Sequence, residues 1–132
     1  AAKFFAAIAK EVSRTGTPVP KPACIIAGGE TTVTIKGKGK GGRNQEFVLG
    51  ALQHLKENTV IVAAASDGWD NSDMAGAIGD RALFIKMKEI NINFKDFLNK
   101  NNSYEFFKSV GGHIETGRIG SNVSDLYFTL TS

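Results

Sequence analysis

Gly28-Gly29-Glu30-Thr31-Thr32-Val33-Thr34-Ile35-Lys36-Gly37-Lys38-Gly39-Lys40-Gly41-Gly42-Arg43-Asn44-Gln45-Glu46 is the stretch on which the rest of the chain turns. An alternating segment leads in and a helical period leads out. Between them Gly37, Gly39, Gly41 and Gly42 are interleaved with Lys36, Lys38, Lys40 and Arg43. Ordering each glycine costs roughly 0.5 to 1 kcal/mol more backbone entropy than ordering alanine, so four of them imply something that approaches the backbone closely. The charges, and a helix starting near Asn44 whose first N–H groups carry partial positive charge, make that something an anion, a phosphate or a carboxylate.

Working outward, Ala23 to Ala27 reads as a short apolar strand, Gly28-Gly29 as a turn, and Thr31 to Lys36 as the second strand of a hairpin. Phe47, Val48, Ala51, Leu52 and Leu55 mark the buried stripe of a helix from about Asn44 to Lys56. Val60 to Ala65 reads as a central buried strand running into Ser66-Asp67-Gly68-Trp69-Asp70-Asn71-Ser72-Asp73. Polar loops at strand C-termini are where open α/β sheets bind ligands. Ala1 to Val12 has the spacing of an amphipathic helix, followed by an extended connector set by Pro18, Pro20 and Pro22. Downstream, Met74 to Glu89 is helical in its later part, with Asp80 near the start. Short helices follow at Phe94 to Leu98 and Tyr104 to Val110, capped by Asn93 and Ser103. His113 to Thr116 and Leu126 to Leu130 alternate like strands around the turn Gly117 to Asp125. The expected architecture is α/β, a single domain with a mixed β-sheet flanked by helices over residues 18–132. The helix within residues 1–17 reads as the tail of an N-terminal domain outside this sequence.

With 132 residues, 42% of them hydrophobic, the chain supports one core. Its longest apolar run, Val60 to Ala65, is far short of a membrane span, so a cytoplasmic protein without a membrane partner is expected. Cys24 is the only cysteine, which leaves no internal disulfide or cysteine-based zinc site and suggests a buried thiol. His54 and His113 fall in separate elements and supply no metal pair. The four basic residues of the glycine loop account for more than the whole net charge of +3, and no aromatic residue is interleaved with them. That pattern argues against a nucleic-acid partner and for a small anion.

Gly37-Lys38-Gly39-Lys40-Gly41-Gly42 matches the dinucleotide fingerprint G-x-G-x-x-G, yet Thr32, Thr34 and Lys36 leave one face of the preceding segment polar. The same glycines outline a P-loop, but Arg43-Asn44 stands where Lys-Ser or Lys-Thr belongs, so this is not a Walker A site. The loop also reads as a basic connection carrying no ligand. Arg43 is singled out because a planar guanidinium holds two oxygens of a phosphate or carboxylate at once. Asp67, Asp70 and Asp73 either hold Mg²⁺ through water and orient a substrate hydroxyl, or act as ordinary turn formers. Ser121, Asn122 and Asp125 either complete a pocket or stabilise their own turn, and Trp69 either covers the site or caps the core.

These blocks, together with Asn102-Ser103-Tyr104 and the run from Thr116-Gly117 to Asn122-Val123-Ser124-Asp125, resemble the C-terminal MOFRL domain of the class II glycerate 2-kinases, a family also labelled hydroxypyruvate reductase. The resemblance runs from about Pro18 to the C-terminus. It implies a two-domain enzyme that transfers the γ-phosphate of ATP, with Mg²⁺, to D-glycerate in a cleft between a larger N-terminal domain and this one. Carried over by motif, Arg43 and Asp67 are catalytic. Glu30, Gly37, Lys38, Gly39, Gly41, Gly42, Asn44, Asn122 and Asp125 bind phosphate or substrate, and Asp67 and Asp70 lie at the metal. The sequence departs from the family where Asn71-Ser72-Asp73 replaces a longer Gly-Pro-Thr-Asp turn, and where Ile119 and Ser121 replace threonines. The chain alone is expected to be inactive, with a catalytic lysine in the N-terminal domain. Two other readings stay open: a hydroxypyruvate reductase whose glycine loop cradles NAD(P)H, and a non-catalytic anion-binding module.

Overall fold

The apolar stripe after the glycine loop forms helix α2, Arg43–Ala51, in the computed structural model, which describes all 132 residues from Ala1 to Ser132. A single 3₁₀ turn, Leu52–His54, ends the helix before Lys56. Phe47, Val48, Leu49, Ala51, Leu52 and Leu55 are buried against a five-stranded sheet. Its strands are β1 (Ala23–Gly29), β2 (Thr59–Ala65), β3 (Gly76–Asp80), β4 (His113–Ile114) and β5 (Asp125–Thr131), in the order β1-β5-β2-β3-β4. Four further helices complete the chain: α1 (Ala2–Thr15), α3 (Arg81–Glu89), α4 (Phe94–Asn99) and α5 (Ser103–Val110).

The expected single α/β domain stands, but the sheet is antiparallel throughout rather than mixed. The loop after β2 turns the chain straight back as β3, and β5 inserts between β1 and β2 antiparallel to both. The expected hairpin does not form. β1 continues through Gly28-Gly29 and pairs with β5, from Ala23 opposite Thr131 to Gly29 opposite Asp125. Thr31 to Lys36 stays outside the sheet, and its end is held by a side chain. Asn101 Oδ1 accepts from the Lys36 and Gly37 N–H groups at 2.6 and 2.8 Å, while its Nδ2 donates to Thr34 O at 3.2 Å. The alternation of Thr32 to Lys36 is genuine, but β1 pairs with β5 alone and its outer edge stays unpaired.

Two other elements depart from expectation. Gly76 to Asp80, for which no strand was expected, forms β3, while α3 begins after Asp80 as expected, the Asp80 carboxylate accepting from Leu83 N–H at 2.7 Å. β4 is two residues long, and α5 takes Asn102, not Ser103, as its N-cap. Asn93 caps α4 through Lys95 N–H as expected.

One core joins both layers, with Phe47, Leu49, Ile61, Met87, Phe106, Phe107 and Tyr127 among its members. Fully burying such side chains contributes about 1.5 to 3 kcal/mol each. Helix α1 packs into the same core, with Ala6 in the cluster and the Phe5 ring 5.7 Å from Phe47 and 6.1 Å from Tyr127. Cys24 is exposed rather than buried, because it falls on the β1 face that carries exposed Ile26. No helix is long and apolar enough to cross a membrane.

Candidate anion-binding cleft

Helix α2 begins without a capping side chain, since its N-cap is Gly42. Asp70, in the middle of the loop between β2 and β3, supplies the cap from a distance. Its Oδ1 accepts from Asn44 N–H at 3.0 Å and Asn44 Nδ2 at 3.2 Å, and its Oδ2 accepts from Gln45 N–H at 2.9 Å and Gln45 Nε2 at 3.1 Å. The anion that the helix start calls for is therefore the chain's own carboxylate. Burial raises the Asp70 pKa, opposed by these bonds from Asn44 and Gln45. Asp70, expected near a metal, lines a cleft beside the glycine loop, is 3% exposed, and has its carboxylate oxygens engaged by Asn44 and Gln45. Asn44, expected to touch phosphate, is completely buried and donates to Asp70 from its backbone and side chain.

The glycines of the loop are needed for approach to the chain itself. A Cβ on Gly37 would run into the Lys100 backbone, and one on Gly42 would strike the Asp70 carbonyl and carboxylate. The loop is stitched to the segment between α4 and α5: Gly39 N–H donates to Lys100 O at 2.8 Å, Lys40 N–H to Asn102 Oδ1 at 3.0 Å, and Tyr104 N–H to Lys40 O at 3.0 Å. Lys40 pairs with Asp73 at 2.9 Å and lies 3.6 Å over the Tyr104 ring. The bond to Asp73 raises the Lys40 pKa, and the same bond lowers that of Asp73.

Arg43 opens α2 and directs its guanidinium at two carboxylates. Asp125, the first residue of β5, takes the side-on edge, with Nε on Oδ2 and Nη2 3.2 Å from Oδ1. Glu30 Oε1 lies 2.7 Å from the same Nη2. The bond to Asp125 holds the Arg43 pKa above its usual range, with partial burial opposing. The Tyr127 hydroxyl sits 3.3 Å from Asp125 Oδ2 and accepts from Thr31 N–H at 3.3 Å, tying this cluster to the start of the loop. Asp125, expected to contact substrate, is 1% exposed and grips Arg43.

Asp67 and Asn122 also meet. Asn122 Nδ2 donates to Asp67 Oδ2 at 3.2 Å, and Asp67 Oδ1 accepts from Trp69 N–H at 3.0 Å. Ser66, which the sequence did not single out, fastens the two turns: its hydroxyl donates to Ser124 O at 2.6 Å and accepts from Val123 N–H at 2.8 Å. The Arg118 guanidinium stacks 4.2 Å from the Trp69 ring centre.

Between the glycine loop, the segment from Thr31 to Ile35 and the segment from Trp69 to Asn71 lies a cleft of about 490 Å³, whose lining also includes Arg43 and Glu46. The backbone N–H groups of Gly41 and Gly42 have no partner within the chain. Gly37 and Gly39 also line the cleft, whereas Lys38, Asp67 and Asn122 stand outside its lining. No three carboxylate, histidine or cysteine side chains converge in a way that holds a metal ion. Asn101, which clasps the loop and lines the cleft, is a residue that the sequence pattern leaves unmarked. Its neighbours Asn102-Ser103-Tyr104 carry part of the family resemblance, and the Asn-Asn pair in a turn is the one signal that points to it.

The model of the MOFRL family matches residues 23–125. The chain is 40% identical to a glycerate 2-kinase of Pyrococcus horikoshii and 41% identical to a D-glycerate 2-kinase of Thermotoga maritima. Each match covers 98% of this chain, but only 30% and 32% of the respective relatives. The crystal structure of glycerate kinase from Thermotoga maritima aligns with a TM-score of 0.96 at 40% identity, over 99% of this chain and 32% of that one. The chain thus spans about a third of the length of the relatives it matches. It belongs to the MOFRL family.

Proposed function

We propose that this chain is the MOFRL portion of an ATP-dependent glycerate 2-kinase and contributes Arg43 to a cleft shared with a second domain. The observation that carries the reading is Arg43 fixed by buried Asp125 at the wall of a cleft, beside the unpaired N–H groups of Gly41 and Gly42. Phosphoryl transfer spreads negative charge over the equatorial oxygens, and catalysis consists mostly of positioning and neutralising them. A guanidinium and two backbone donors do both.

ATP fits these donors through its phosphates. Mg²⁺ fits less completely: no three carboxylates converge to hold it, and Asp67, oriented by Asn122, is the carboxylate this reading assigns to it. Mg²⁺ commonly takes one or two carboxylates and completes its shell with phosphate oxygens and water, and its chemistry here is to neutralise phosphate charge. D-glycerate and the remaining catalytic groups belong to the other domain in this reading. Ala1 and Ala2 lie on the same rim as Thr32 and Arg43, so a preceding domain would join the chain beside the cleft.

The reductase alternative loses its structural basis. Thr31 to Lys36 is not a strand and the sheet is antiparallel, so the strand–loop–helix of a parallel dinucleotide-binding unit is absent.

The test is to join this chain to the other two-thirds of the Thermotoga maritima enzyme and assay ATP-dependent phosphorylation of D-glycerate. The joined protein is expected to turn over, the chain alone to be inactive, and Arg43→Lys to lose at least two orders of magnitude in kcat, in line with removing a preorganised donor. Near-normal turnover by a folded Arg43→Lys protein would overturn the reading.

A further inference from the structure

The two carboxylates on Arg43 differ in what they can do. Asp125 is 1% exposed and fills the side-on edge, so it cannot leave without stranding a charge in the interior. Glu30 reaches Nη2 from outside, with its side chain 63% exposed. Glu30 meets Nη2 as an ion pair without a hydrogen bond and nothing bonds Nη1, so the end-on edge formed by Nη1 and Nη2 carries no hydrogen bond while Glu30 neutralises the charge beside it. An oxyanion that grips arginine with two oxygens needs that whole edge.

Charge leads to the same place. One guanidinium faces two carboxylates, with Asp70 also near enough to act on it. An incoming phosphate is repelled unless one negative group withdraws. An exposed ion pair is worth little in water, so Glu30 is the group that leaves.

We propose that Glu30 is an internal competitor for Arg43: it pairs with Nη2 when no ligand is present and is displaced when a phosphate-bearing ligand takes the end-on edge with two oxygens. This rests on the cleft being an anion site, and it assigns Glu30 a role opposite in sign to a ligand contact. A residue that binds the ligand weakens binding when removed, whereas a competitor strengthens it. Asp125 is then the positioning residue that keeps the edge aimed at the cleft after Glu30 departs.

The experiment is an NMR titration of the 132-residue chain and its Glu30→Gln variant with inorganic phosphate, at a pH where phosphate is largely dianionic, following the Arg43 Nε–H signal. Glu30 is exposed, so the variant keeps the fold, and unchanged amide signals in β2 and β5 verify this. Phosphate is expected to bind Glu30→Gln about fivefold more tightly, combining the lost exposed pair with the lost repulsion. In the wild type, the Glu30 side-chain carboxyl signal should move as phosphate binds. Equal or weaker binding by the variant, with Arg43 responding in both, overturns the competitor while leaving the anion site standing. No response of Arg43 in either protein overturns the anion site and the competitor together.

Discussion

Arg43 and Asp125 form an ion pair whose partners differ sharply in accessibility, the arginine side chain 38% exposed and the aspartate 1%. Removing the arginine leaves a buried carboxylate with little besides the Tyr127 hydroxyl. Breaking a buried pair costs about 3 to 5 kcal/mol, and with Arg43 partly in water we expect about 2 to 3 kcal/mol for Arg43→Ala. Adding Asp125→Asn should recover most of that loss in urea denaturation. A double variant as unstable as the two single effects summed would show that the pair does not hold this corner together. Arg43→Ala is therefore a poor probe of catalysis, and Arg43→Lys, which keeps a charge on Asp125, is the better one.

Asp70 gives stability a pH dependence. Burial raises its folded pKa, so its titration contributes stability that is fully present below the unfolded value, about 3.9, and is lost as pH rises through the folded one. Relative to Asp70→Asn, which does not titrate, the wild type should lose ground in urea denaturation as pH is raised from acid toward neutral. A difference that is flat, or that grows with pH, contradicts a raised pKa for Asp70.

Gly42 and Gly120 make a matched pair. A methyl at Gly42 meets the Asp70 carbonyl and carboxylate, whereas one at Gly120 meets nothing within 4 Å. Gly42→Ala should push Asp70 off the start of α2 and cost about 2 kcal/mol or more, while Gly120→Ala stays within about 0.5 kcal/mol of wild type. Thermal melting distinguishes them, and equal melting temperatures would mean that the close approach carries no weight.

Asn101 satisfies two amides, a carbonyl and the Glu46 carboxylate at once, with Nδ2 3.1 Å from Glu46 Oε1. Asn101→Ala should release the Lys36 and Gly37 amides to fast hydrogen exchange while β2 and β5 stay protected. Unchanged protection at these two amides would show that the clasp is redundant.

Local pattern carried much of the chain. The stripe of Phe47, Val48, Ala51 and Leu52 specified a helix, Val60 to Ala65 a central strand, Asn93 a cap, and the resemblance of the glycine block and Asp67-Gly68-Trp69-Asp70 pointed to the MOFRL family. The strand at Gly76 to Asp80 is not legible, because five residues with two glycines show no period long enough to separate strand from helix.

What the sequence determined by itself was the inventory: which segments bury a face, where the chain turns, and a glycine loop that something must approach closely. Only the tertiary structure decided what that something is. Asp70 reaches α2 from 26 residues away, Asn101 reaches Lys36 across 65, and Asp125 reaches Arg43 across 82. Periodicity reports neighbours three, four or two residues apart. Pairings across such separations depend on which strand edge is free and which carboxylate is buried beside which donor, and both are settled when the sheet closes and β5 takes the edge of β1.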